Sequence, residues 1–226
     1  VEGHKNILQD EQESPHLVSF FPWKTFKLLL EDKPFAKYMV CQFVFGVGNL
    51  MLTAPLVVVL SKQFDLGYLG EIMIVSTIPI LMIPLSTLLW ARLLKKMHVL
   101  SFRSIHSWFF VASSICIGLS IATHSVTGLW IGAAIRGIGF GGGVLAWNLG
   151  HQDYATVGQS SRYMGLHVTL TGIRGLLAPA LGMAIYSYLA STGYPAGAIV
   201  FFVGASLSAI GGVGFILLAK TRLTST

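Results

Sequence analysis

The sequence predicts an all-α, polytopic membrane protein, and three observations carry that reading. Of its 226 residues, 54% are hydrophobic and only 11% are charged, against a usual charged share of about 25%. The apolar residues cluster into six runs, each close to the roughly 20 residues at 1.5 Å rise that cross a bilayer. The few cations gather in every second connection between those runs, the bias that sets orientation in a membrane.

Residues 1–36 read as a polar cytoplasmic linker, with 1–16 expected to be loosely ordered. The stretch "LVSFFPWKTFKLLLEDK" (17–33) mixes aromatics with Lys24, Lys27 and Lys33. It fits a helix lying at the membrane interface, with Trp23 and the phenylalanines dipping in, and fits an ordinary polar linker equally well. The segment lacks the short apolar core of a secretory signal. Because the chain opens on Val1 and not on methionine, a preceding portion is expected.

The spans are expected at 37–60, 69–91, 104–123, 127–149, 163–190 and 195–219, giving a six-helix bundle over 37–220 and a tail over 221–226. The fifth is long, which implies tilt or projection beyond the bilayer. Pro55, Pro79, Pro84 and Pro179 fall inside spans. Neighbouring helices can satisfy the carbonyls that proline strands, so these positions predict kinks and not breaks.

Lys24, Lys27, Lys33 and Lys37 precede the first span, and Arg92, Lys95, Lys96 and Arg103 occupy the second connection. Arg162 precedes the fifth span, and Lys220 and Arg222 follow the sixth, while the opposite side holds only Lys62. Both termini are therefore expected in the cytoplasm. The net charge of +6 is explained by this loop bias and calls for no nucleic-acid partner. Cys41 and Cys116 lie inside apolar runs without metal or disulfide spacing and read as small packing residues.

"GIGFGG" (137–142) fits a dinucleotide fingerprint by letters alone. It lacks the preceding strand and the acid about 20 residues on, and small residues at this spacing instead let membrane helices approach. "HQD" (151–153) reads as a solvated loop. No metal or cofactor site is indicated. His106 and His167 read as packing histidines able in principle to relay protons, and Glu71 is a third titratable candidate.

The strongest chemical signal is a pair of arginines, Arg136 and Arg174, near the middle of the fourth and fifth runs. Each costs roughly 2.5–3.5 kcal/mol on insertion scales, and charges kept there face a cavity or a partner. No Asp or Glu lies at comparable depth. The counter-charge must come from backbone carbonyls, another polypeptide segment or an anionic ligand.

At these residues the chain resembles the major facilitator superfamily. "SSRYMGLHVTLTGIRGLLAPALG" (160–182) looks like that family's eleventh helix, and its "GLLAPALG" is similar to the G-x-x-x-G-P-x-x-G antiporter-type motif with Ala178 at a usual glycine. "RGIGFGGG" (136–143) resembles an R-x-x-x-G motif, and "WARLLKKMHVLSFR" (90–103) a degraded G-x-x-x-D-R-x-G-R loop that lacks the aspartate and both glycines. The resemblance spans 17–222. It implies the C-terminal six-helix half, a 3+3 repeat, of a twelve-helix secondary transporter whose N-terminal half is a missing partner, seated in a bacterial inner membrane.

It further implies that helices 1, 2, 4 and 5 line a cavity and that 3 and 6 are peripheral. The third and sixth runs carry no charge within the bilayer, while both buried arginines fall in the fourth and fifth, which agrees. The expected function is alternating-access transport of a small solute. Arg174, Arg136, Asn49, Thr53, Trp147, Asn148 and Thr171 are the cavity candidates. Gly172, Gly175, Gly182 and Pro179 are the positions of close approach and bending, and His167 and Glu71 the proton-relay candidates. A stand-alone six-helix scaffold or sensor, homodimeric in form, is the alternative. An intramembrane enzyme is disfavoured because no paired carboxylates, His–Asp pair or Ser–His arrangement occur at matched depth.

Overall fold

The computed structural model describes residues 26–224, so Trp23, Lys24 and most of the expected interfacial helix lie outside the described residues. Six helices long and apolar enough to cross a membrane follow one another: α1 (Lys33–Gln63), α2 (Gly67–Leu94), α3 (Val99–Ala122), α4 (Val126–Asp153), α5 (Ser160–Ser191) and α6 (Ala196–Leu223). No strand occurs among the described residues.

Local chemistry fixes the ends. A single helical turn, Leu28–Glu31, leads into α1, which begins at Lys33, ahead of the expected boundary. Asp32 Oδ1 accepts a 2.9 Å bond from Phe35 N and Pro34 occupies the first turn, both strong helix starters. Ser125 caps α4 by accepting from Gly128 N. His98 Nδ1 accepts from Leu100 N at 3.2 Å, and Asp153 Oδ2 accepts from Val99 N at 2.6 Å. The "HQD" stretch is solvated only in part, with Gln152 and Asp153 exposed. It is a tight turn in which His151 is buried and Asp153 closes the start of α3, because four orphan N–H groups there need acceptors.

The prolines act unevenly. α1 is interrupted after Leu50 and resumes at Thr53, because Pro55 cannot donate to the Met51 carbonyl. α2 widens into one π-helical turn at Met73–Thr77 just before Pro79. Pro179 sits inside an α5 that continues for 32 residues.

α3 and α6 pack most extensively, α1 lies on α6 and α4 on α3, while α5 packs on α1 and α2 on α4. Exchanging α1, α2 and α3 for α4, α5 and α6 maps the α3–α6 contact onto itself and each of the others onto its counterpart. Since successive helices cross in opposite directions, this is a 3+3 inverted repeat. Small residues make the close contacts: a Cβ on Gly48 of α1 would lie 2.6 Å from Gly204 O of α6, and one on Gly212 would lie 2.9 Å from Ser107 Oγ of α3. Such backbone approach replaces the hydrophobic effect as the packing force inside lipid. α2 and α5 are the least covered, with 17% of each apolar stretch buried against 44% or more elsewhere.

All six helices present one terminus at the same end, which carries Lys33, Lys37, Arg92, Lys95, Lys96, Arg162, Lys220 and Arg222; the other end carries Lys62. We call these the basic end and the far end.

Candidate functional site

A cavity of about 260 Å³ opens in the basic-end half of the bundle, between α1, α4 and α5, with α3 as its floor. It exists because α4 and α5, unlike the other neighbours, meet closely only through the turn at 150–153. Its walls include Gln42 and Asn49 of α1, Arg103 of α3, Trp147 and Asn148 of α4, and Thr171 and Arg174 of α5.

Arg174 is held across the α1–α5 contact. Its Nη1 donates to Gln42 O at 2.8 Å and its Nη2 to Thr171 Oγ1 at 3.2 Å, while Nε has no partner among the described residues. Gly46 provides the seat: a Cβ there would fall 2.5 Å from Nη1 and 2.7 Å from Cζ. The guanidinium thus lies flat on the α1 backbone and replaces the missing side chain. Part of the charge is met by a carbonyl and a hydroxyl, and none of it by a carboxylate of the described residues.

Of the other expected cavity residues, Asn49, Trp147, Asn148 and Thr171 line this same space, with Trp147 Nε1 directed to Thr171 Oγ1 at 3.4 Å. Arg136 and Thr53 do not line it. They form a separate pair nearer the far end, Arg136 Nη2 donating to Thr53 Oγ1 at 3.4 Å. The Arg136 guanidinium also lies 5.6 Å from the Phe140 ring centroid, within cation–π range.

The expected positions of close approach divide. A Cβ on Gly182 would collide with the Met51 carbonyl, the group freed by Pro55. Gly172 and Gly175 have nothing within 4 Å and, within this bundle, do not serve as contact points. They fall off the inward stripe of α5, which runs through Tyr163, His167, Arg174, Ala178, Gly182 and Tyr186. In "GIGFGG" the glycines are packing positions: a Cβ on Gly137 would lie 2.6 Å from Pro79 O, and one on Gly139 3.0 Å from the Phe110 ring.

His167 is fully buried beside the Trp147 ring, at 5.6 Å between centroids, with neither ring nitrogen bonded. His106 is fully buried with Nε2 2.6 Å from Gly139 O. Glu71 sits at the far end of α2 and does not reach the cavity.

Sequence reasoning missed Gln42, Gly46 and above all Arg103. Arg103 counted as a loop cation, but α3 starts at Val99, so Arg103 is helical and only 2% exposed. Its spacing of three from His106 puts both on one face of a helix, a signal that was there to be read.

Outside the spans, burial holds His98 below the ordinary histidine value of 6.5, against the pull of the Asp153 carboxylate 3.7 Å away. Burial likewise pushes the Tyr154 phenol up.

Six membrane-crossing helices in an inverted repeat around a cavity that holds two arginines define a polytopic membrane protein of the transporter class. The Major Facilitator Superfamily model matches residues 3–179, and the chain belongs to that family. It is a membrane transporter of the major facilitator type, a family of transporters and not of enzymes. Comparisons with curated proteins and with solved structures gave no significant match.

Proposed function

We propose that the chain is the C-terminal six-helix half of a twelve-helix carrier that moves a small solute by alternating access. The observation that carries this reading is Arg174, buried on the open side of the bundle with one face bonded to α1 and its Nε turned to no partner among the described residues. An intramembrane charge kept so expensively marks a substrate or ion path.

The thinly covered faces of α2 and α5 would seat the six-helix partner half, with lipid around the remainder. The exposed Leu176, Leu177 and Leu181 of α5 and Leu85, Leu88 and Leu89 of α2 suit either neighbour. Gly172 and Gly175, open on that same helix, would let the partner half approach closely. The basic end faces the cytoplasm of a bacterial inner membrane, with both chain termini there, by the positive-inside bias. Rocking about the midplane would expose the cavity to each side in turn.

The test is Arg174→Ala in the intact carrier, with solute exchange measured in proteoliposomes and membrane insertion measured in parallel. Loss of exchange with insertion intact is the expected result. Normal exchange would remove Arg174 from the transport path.

A further inference from the structure

We propose that Arg103 and Arg174 form a binding site for the carboxylate or phosphate oxyanion of a small solute. This rests on the transport reading of the same cavity and adds the chemical class of what enters it.

Arg103 carries the argument. Its side chain is among the largest that are fully buried, yet it makes no hydrogen bond and no ion pair among the described residues, and its Nε is sealed from solvent without a partner. A buried guanidinium left so costs several kcal/mol, and native structures do not retain such a group without something that compensates it. Arg174 stands beside it, since the cavity is lined by both arginines, and Arg174 Nε likewise has no partner among the described residues.

The described acids are engaged elsewhere or distant. Glu31 pairs with Arg162, Asp32 takes the Phe35 amide and the Tyr163 hydroxyl, and Asp153 takes the Val99 amide. Asp65 and Glu71 are at the far end. Two fixed positive charges therefore line one cavity with no negative group among the described residues paired to either.

The donor set selects the ligand. Guanidinium forks match the paired oxygens of a carboxylate or phosphate. A neutral solute would leave both charges uncompensated. The roughly 260 Å³ of cavity admits a small organic anion, with the Trp147 indole beside its carbon portion.

The experiment uses the intact protein in phosphatidylcholine nanodiscs, read by thermal unfolding and by the fluorescence that Trp147→Phe removes. Succinate and inorganic phosphate are titrated against succinamide and against sodium chloride at equal ionic strength. Succinate or phosphate should raise the midpoint and change the fluorescence, while succinamide and chloride do neither. Arg103→Gln should weaken that binding about 30-fold or more, the effect of truncating one partner of a buried charge pair, and should raise the midpoint of the ligand-free protein. That last readout separates the site from a structural ion pair. If Arg103 were neutralised by a carboxylate of the partner half, Arg103→Gln would lower the ligand-free midpoint and wild type would bind neither anion, and the proposal would fall.

Adding phosphatidylglycerol to the discs separates the two sources of the oxyanion. A midpoint rise from that lipid alone, displaced by succinate, assigns the site to a headgroup, and an inert lipid assigns it to a soluble solute. Exchange of labelled succinate or phosphate in proteoliposomes then tests the two readings apart. Binding without exchange would overturn transport and keep the anion site. Exchange of a neutral solute untouched by Arg103→Gln would overturn the anion site and keep transport.

Discussion

The inverted repeat places two seams in equivalent positions, α2 on α4 and α5 on α1, and the chain has finished them in opposite ways. The α2–α4 seam is closed. Ser86 Oγ bonds within its own helix to Met82 O at 2.8 Å and reaches Ile138 O at 3.4 Å, and Trp90 Nε1 donates to the same carbonyl at 2.8 Å. Gly137 and Gly141 admit the α2 backbone and side chains directly. The α1–α5 seam closes where Gly182 meets Met51 and where Gly46 seats Arg174. Toward the basic end it opens into the cavity, whose lining residues Gln42, Arg103 and Arg174 carry Oε1, Nε and Nε atoms without a partner among the described residues. One fold relation can thus serve as a structural joint or as a site, and the number of unanswered polar atoms tells which.

That contrast can be broken experimentally, beginning with the closed seam. Gly137→Leu forces a side chain into the Pro79 backbone, 2.6 Å from its carbonyl oxygen, which cannot yield. The expected cost is about 1–3 kcal/mol or more, read as a lowered melting midpoint in detergent. Gly172→Leu, on the open face of α5, should stay within about 0.5 kcal/mol. Equal losses at the two positions would erase the distinction between them.

In the open cavity, Gly46→Ala should do the reverse. The new methyl displaces the flexible end of Arg174 and leaves backbone untouched, so solute exchange in proteoliposomes should fall steeply while the melting midpoint moves by less than about 1 kcal/mol. A stable variant with unchanged exchange would mean that the position of the Arg174 guanidinium does not matter.

A smaller effect sharpens the closed side. Trp90→Phe keeps the ring packing against Phe102, Phe109 and His106 and removes only the bond to Ile138 O. A loss of about 0.5–1.5 kcal/mol with exchange unaltered is expected, checked by denaturation and transport of the same preparation.

The smallest effect lies outside both seams, at the α2–α3 connection. His98 is held below 6.5 by burial, opposed by Asp153 and reinforced by Arg222. Its folded-state value is depressed, so the unfolded chain takes up a proton first as pH falls. The stabilising contribution is present above pH 6.5 and declines below it, and protonation also removes the Nδ1 acceptor used by Leu100 N. His98→Gln should flatten the melting midpoint between pH 7 and pH 5, and an unchanged slope would assign the pH dependence elsewhere.

Much of this molecule was written into local chemistry. The six spans are legible because a bilayer demands long apolar runs with internally satisfied backbones, so each helix declares itself without reference to its neighbours. The "GIGFGG" glycines likewise declare close packing through their missing side chains. Arg174 stood out because a cation amid leucines is conspicuous in any context. Arg103 did not, since four residues at a helix start separate a loop cation from a buried one, and only the exact cap at His98 and Asp153 decides between them. Arg136 and Arg174 look alike in sequence, yet one finds Thr53 and an aromatic face while the other enters the cavity.

Six membrane crossings with the cations gathered at one end follow from the order of the residues alone, because hydropathy and loop charge are sums over neighbouring residues. Only the tertiary structure decided which arginines share a space, that Gly46 seats one of them, and that no described carboxylate answers either. Those facts depend on side chains from α1, α3 and α5 meeting across more than a hundred residues of chain, and such meetings are set by how helices pack, which no local run of residues contains.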